Sequence, residues 1–203
     1  MARFILVRHG QTEWNRVERF RGQFDVPLNE TGLAQAKATG QHIAAQWQPA
    51  AVYSSPLTRA VRTADTIAAH FSLPVRLHSG LTDINYGEWQ GLTPEEVMAR
   101  WPHEHYAWCH RPHLARIPGG EMLDEIRGRT MRAINEIGAQ HEQQDIVLVS
   151  HTVVNRVILL AILGLGNDHF WHLSQETGAI NVFAVGTEGF TLVTMNDACH
   201  LRT

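Results

Sequence analysis

A chain of 203 residues is long enough to bury a core without cross-links and is expected to form one domain over 1–203. Its formal charge of −3 gives no general pull toward nucleic acid or anionic membrane, and its two cysteines, Cys109 and Cys199, lack the spacing of a disulfide framework or a zinc knuckle. No apolar run approaches the length of a membrane span, and Phe4–Val7 is too short for a signal-peptide core, so a soluble, cytoplasmic protein with no nucleic-acid or membrane partner is expected, as a monomer or a homodimer.

Phe4-Ile5-Leu6-Val7 is uninterrupted apolar sequence and predicts a strand buried on both faces. Arg8-His9-Gly10 follows it directly, and ligands in α/β sheets collect at the carboxyl ends of strands. An imidazole there can attack phosphorus, and a guanidinium can grip phosphate oxygens with paired hydrogen bonds. Arg16 to Leu28 reads as a polar loop. Five of the 16 arginines lie in the first 21 residues, which predicts a positive rim able to attract an anion.

Asn29 to Gly32 starts a helix, with Leu33, Ala36, Gly40, Ile43, Ala44 and Trp47 recurring on its expected buried face and Pro49 closing it. Ala51 to Ser54 is a short strand. Ser54-Ser55-Pro56-Leu57 launches a second helix that carries Arg59 near its positive end and turns Ala60, Ala64, Ile67, Ala68 and Phe71 inward. Val75 to Leu77 forms a third strand, followed by a loop containing Asp83. From Thr93 the chain is helical again and becomes rich in His and Trp between Trp101 and Arg116. Four His and one Cys in this run match no regular ligand pairing, so no metal is expected. The run predicts a helical insert, at about 93–118, that covers the crevice with Trp and Tyr rings packed against the domain. Such a rim suits a leaving group of apolar or aromatic character.

Pro118-Gly119-Gly120-Glu121 turns the chain into a long helix with Leu123, Ile126, Ala133, Ile134 and Ile137 inward. Asp145 to Ser150 is a second strand that ends in an imidazole, His151. Thr152 to Leu163 is helical, and Gly178–Val185 with Phe190–Asn196 form a closing hairpin. Strands alternating with helices predict an α/β fold, a three-layer α/β/α sandwich with a mostly parallel sheet.

Four blocks in this order carry a family resemblance. Val7-Arg8-His9-Gly10-Gln11-Thr12-Glu13-Trp14-Asn15 fits R-H-G-x-T-x-x-N. Ser55 to Ala60 with Thr63-Ala64 fits S-P-x-x-R-A-x-x-T-A. Leu81 to Gly91 resembles L-x-E-x-x-x-G-x-W-E-G, and Val149-Ser150-His151 resembles V-S/T-H-G. Together they resemble the histidine phosphatase (phosphoglycerate mutase-like) superfamily. Phe20–Asp25 and Gly87–Gly91 are similar to its α-ribazole and broad-specificity phosphatases. Two positions depart from the pattern: Asp83 stands where a Glu general acid is usual, and Thr152 where Gly is frequent.

The resemblance implies the phosphoglycerate mutase-like fold and a phosphomonoester hydrolase that needs no metal or cofactor. His9 is the implied nucleophile, forming a phosphohistidine, and Asp83 the implied proton donor, with Glu13 and Glu88 as reserve carboxylates. Arg8, Arg59 and His151 would hold the non-bridging oxygens, helped by Asn15 and the amides near Gly10 or Thr152. Arg21 and Gln23 of the following loop are implied substrate contacts, and Glu121 either orients a donor or favours its helix N-terminus. Mutase-type transfer is the competing reading, disfavoured by Gln11-Thr12 where mutases carry Glu-Ser and by a shorter chain. A non-catalytic phosphate-binding pocket is the third, disfavoured by the intact His9, Arg59, Asp83 and His151.

Overall fold

The computed structural model describes residues 2–202. In chain order the elements are β1 (Ala2–Arg8), the single turn α1 (Glu13–Arg16), α2 (Glu30–Gln46), β2 (Ala51–Ser54), α3 (Thr58–Ala68), β3 (Val75–Leu77), α4 (Pro94–Arg100), α5 (Pro102–His110), α6 (Leu123–Gln140), β4 (Asp145–Ser150), α7 (Thr152–Ile162), β5 (Ile180–Gly186) and β6 (Gly189–Asp197). The six strands form one sheet in the order β3-β2-β4-β1-β5-β6. The first four in that order run parallel, β5 is antiparallel to β1, and β6 returns antiparallel to β5.

β1 is central, between β4 and β5, and the sheet is covered on both sides, which is why its apolar run does not alternate with polar residues. Phe4 and Leu6 enter the core beneath α6 and α7, alongside Ile126, Ile134 and Ile158. Ile5 and Val7 enter the opposite core beneath α2 and α3, alongside Ile43, Ala64 and Ile67. Helix, sheet and helix therefore form the three layers predicted. Among the described residues no helix is long and apolar enough to cross a membrane.

Two expected core positions differ. Leu33 and Ala44 of α2 are exposed, and the buried stripe is Gly32, Ala36, Thr39, Gly40 and Ile43. The stripe is rotated toward its small residues because α2 rests on the backbone of the R-H-G block: a Cβ on Gly10 would lie 2.3 Å from the Gly32 carbonyl oxygen. In α5, Trp108 is buried but Tyr106 is 60% exposed and stacks on His110 instead. Residues two apart on a helix point in nearly opposite directions, so only one of the two rings can face the domain.

Candidate active site

Strand register builds the floor of the site. Arg8 pairs with Ser150 across β1 and β4, and Ser54 with Val149 across β2 and β4, so the residues that follow these three parallel strands emerge side by side. His9, His151 and Ser55 are those residues. The two imidazole centroids are 5.0 Å apart, and both rings are buried.

Their hydrogen bonds assign the tautomers. His9 Nδ1 lies 2.6 Å from the Gly10 carbonyl oxygen, which can only accept, so Nδ1 carries the proton and Nε2 keeps its lone pair. His151 Nε2 is 2.8 Å from Ser55 Oγ, which itself accepts from the Leu57 amide. A hydroxyl that accepts there satisfies its own proton by donating to His151 Nε2. His151 then holds its proton on Nδ1, facing Asp83 Oδ2 at 3.5 Å. Burial, reinforced by Arg59, holds both imidazoles well below their ordinary pKa, so both are neutral at pH 7.

Arg59 enters from the first turn of α3 and is fully buried. It donates to the carbonyls of Phe24 (2.8 Å) and Gly22 (2.7 Å), and to Asp83 Oδ2 (3.0 Å). Asp83 Oδ1 accepts from the Ile84 amide at 3.0 Å. Arg8 anchors one terminal nitrogen on the Gln175 carbonyl, and burial lowers its pKa to about 9, which leaves it charged at neutral pH. The Nε atoms of Arg8, Arg21 and Arg59, with His151 Nδ1 and Thr152 Oγ1, are buried without protein partners. An unmet buried polar group costs about 1–3 kcal/mol, so a cluster of donors gathered beside an open cleft is placed to be met by acceptors from the cleft, those of water or of a ligand. Guanidinium and imidazole donors around a single carboxylate suit an anion, not a cation.

A cleft of about 470 Å³ opens above this floor. Arg8, Asn15, Arg21, Asp83 and Thr152 line it, and α5 adds His105 and Trp108 to its lining. Asn15 spends its side-chain oxygen on Thr12, which leaves its NH2 as the group available to the cleft. Three expected contacts stand elsewhere. The Gly10 amide already donates to Thr63 Oγ1 at 3.2 Å, so Gly10 serves His9 and the approach of α2 rather than a ligand. The Gln23 side chain donates to the backbone oxygen of Asp83, 3.2 Å away, outside the cleft lining. Glu121 also lies off the cleft: it accepts from Arg129 and from the Asn85 amide, while Arg129 reaches the Asp83 and Gly80 carbonyls. Both residues brace the loop that presents Asp83. Glu13 is paired with Arg16, and Glu88 is exposed, so neither reserve carboxylate faces the cleft.

Sequence reasoning missed Ser55 as the partner of His151 and Arg129 as the brace of Asp83. Ser55 stood in plain view within the S-P-x-x-R-A block. Arg129 had no local signal, because its partners lie on segments remote in sequence.

A buried donor cluster at the carboxyl ends of parallel strands, with a free imidazole lone pair within it, defines a phosphoryl-transfer enzyme. The chain belongs to the histidine phosphatase superfamily (branch 1), which it matches over residues 4–198. It is similar to phosphoserine phosphatase 1 of Hydrogenobacter thermophilus, with 34% identity over 99% of this chain and 95% of that protein. It is 36% identical to the metal-independent phosphoserine phosphatase of Arabidopsis thaliana, over 100% of this chain and 84% of the other. The solved structure of a phosphoserine phosphatase mutant from Entamoeba histolytica in complex with phosphoserine superposes with a TM-score of 0.89 at 27% identity, covering 99% of this chain and 100% of that one. The protein is a phosphomonoester hydrolase that works through a phosphohistidine.

Proposed function

We propose that His9 Nε2 attacks the phosphorus of a small monoester in line, forming the P–N bond as the P–O ester bond breaks, while Asp83, a carboxylate in the free site that takes up a proton from the monoester monoanion or from solvent on binding, passes that proton to the departing alkoxide. Asp83 then takes a proton from the water that attacks the phosphohistidine, which releases inorganic phosphate and restores both groups. Arg8, Arg59 and the Nδ1 proton of His151 hold the non-bridging oxygens, with Arg21, Asn15 and Thr152 as further donors. The observation that carries this reading is the His9 tautomer: with Nδ1 locked on the Gly10 carbonyl, Nε2 is the free lone pair among buried cationic donors.

The alcohol portion is read as a small polar one, of the size of serine or glycerate. The phosphoserine phosphatases among the relatives and the modest cleft support that choice. The chain is read as one domain of a reducing compartment, with the 93–118 segment as the roof of its cleft.

Rapid acid-free quenching with labelled substrate tests the nucleophile. Wild type traps an acid-labile, alkali-stable phosphoenzyme, and His9→Ala loses the phosphoenzyme and turnover together. Normal turnover by His9→Ala refutes the assignment.

A further inference from the structure

Two arginines that line the cleft are not used by the reaction just described: Arg19, which is paired with Glu96, and Arg156. Arg156, on α7 beyond His151, lines the same cleft. Its guanidinium carbon lies 5.0 Å from the ring centroid of Phe170 and 5.0 Å from that of Trp171. Phe170 is fully buried, and Trp171 Nε1 donates to the Trp108 carbonyl at 2.7 Å, which ties the ring to α5. The aromatic residues of this wall therefore frame a cation instead of offering an apolar face to the leaving group.

Arg59 is paired with Asp83 and Arg129 with Glu121, while Arg8 and Arg21, which have no acidic partner among the described residues, are the ones assigned to the phosphoryl group. Arg156 forms no ion pair among the described residues, and its Nε is buried without a partner. Cation–π contacts attract the charge but accept none of its hydrogen bonds in the guanidinium plane. Burial lowers its pKa, a sign that desolvation of this charge is not offset by the protein itself. Arg19 is already paired with Glu96 at 3.5 Å, which leaves Arg156 as the cleft arginine with neither an acidic partner nor a place around the phosphoryl group.

We propose that Arg156, framed by Phe170 and Trp171, is the subsite for a carboxylate on the alcohol portion of the substrate, so that the enzyme selects phosphorylated hydroxy- or amino acids over phosphorylated alcohols. This rests on the reading of the cleft as a phosphomonoesterase site. Rings that restrain the guanidinium leave its planar edge to pair with a planar carboxylate, a match that Lys or an amide does not reproduce.

The test compares kcat/KM for O-phosphoserine with that for phosphoethanolamine, which has the same skeleton without the carboxylate, using p-nitrophenyl phosphate as a general phosphatase probe. Removing one partner of a desolvated charge pair changes affinity by roughly 30-fold or more, so wild type is expected to prefer phosphoserine by at least that factor. Arg156→Gln and Arg156→Met should bring the ratio toward one. The Met variant keeps an aliphatic stem between the rings, and the ratio is insensitive to a general loss of folded enzyme. Calorimetric affinities in a His9→Ala background measure the same preference without turnover. A wild-type ratio near one, with p-nitrophenyl phosphate hydrolysed, overturns the carboxylate subsite alone. A phosphoserine preference that survives in either Arg156 variant also overturns it, as does a stronger Arg156-dependent preference for a bisphosphate. A wild type inert toward all three esters overturns the phosphatase reading itself.

Discussion

Replacing Asp83 by Asn separates the proton donor from the anion-binding cluster. The amide keeps the shape of the carboxylate, but its single oxygen can accept from Arg59 or from the Ile84 amide and not from both, because those donors meet different oxygens of the native side chain at 3.0 Å. What it removes is the proton that an alkoxide leaving group requires. General acid catalysis contributes ~10²–10⁴-fold, so turnover of an alkyl ester such as phosphoserine should fall by about that factor. A nitrophenolate departs without a proton, and its release should fall by roughly tenfold or less on the same principle. The stability change should be smaller than for an abandoned buried charge, because Arg59 keeps the carbonyls of Gly22 and Phe24. Weakening one charged hydrogen bond costs about 1–2 kcal/mol. For a chain of this size that lowers Tm by about 3–6 °C. Steady-state kinetics on the two esters, beside a thermal melt, measure both effects. Inorganic phosphate should also bind the variant more tightly, since a like charge has left the anion site. Equal losses on the two esters, in a protein that melts normally, would refute the assignment of the proton to Asp83.

Arg129→Met should slow kcat on alkyl esters by about tenfold with little change in KM, since misplacing a proton donor by a fraction of an ångström is enough; the kcat against KM split on two esters checks it, and a pure KM effect counts against the bracing role. Gly32→Ala, ordinarily favourable in a helix, should instead lower stability by about 1–3 kcal/mol, because its Cβ would lie 2.1 Å from the Gln11 carbonyl oxygen and must push α2 away; urea unfolding measures it. Stability should fall as pH drops below about 6.5, since His9 and His151 stay neutral in the fold while their unfolded counterparts take up protons. Unfolding is then proton-uptaking, so stability declines from that point down to the depressed folded pKa, by up to about 1.4 kcal/mol per pH unit for each imidazole. Urea titrations between pH 7.5 and 5 follow the slope, and His9→Gln should reduce it by about one proton; an unchanged slope would show that His9 titrates as in the unfolded chain.

The parts of the fold that rest on local pattern were legible in the sequence. Phe4–Val7 reads as a doubly covered strand because the apolar run has no other use, and the capping residue Asn29 does accept from the Gly32 amide at 2.9 Å. What could not be read were contacts set by backbone approach and by long-range partners. Leu33 satisfies helical spacing yet faces solvent, since the close contact of Gly10 with Gly32 rotates α2 toward its small residues. Gln23 and Glu121 sit in the segments that the family blocks point to, but proximity in sequence does not say whether a side chain faces the cleft or the back of the loop that forms it. Arg156 escaped for the reverse reason: an arginine within an apolar helix reads as an interruption until Phe170 and Trp171, distant in sequence, are seen to frame it.

The site divides its labour according to the stiffness of its supports. His9, His151 and Ser55 follow directly from β1, β4 and β2, so their relative positions are fixed by sheet register and need only the bonds His9–Gly10 and His151–Ser55 to set the rings. Asp83 stands on a loop, where register provides nothing. There the backbone is held from three directions: Gln23 and Arg129 both donate to the Asp83 carbonyl, Arg129 also to Gly80, and Glu121 holds Arg129 and the Asn85 amide at once. A carboxylate one methylene shorter than the family's usual Glu has less reach and less freedom to correct a displaced backbone, so its supports have to be more exact. Lengthening it to Glu while Arg129 is removed should therefore lose less activity than removing Arg129 alone. Asp83→Glu combined with Arg129→Met, assayed against each single variant in a double-mutant cycle, measures that compensation, and strictly additive losses would show that the brace and the acid act independently.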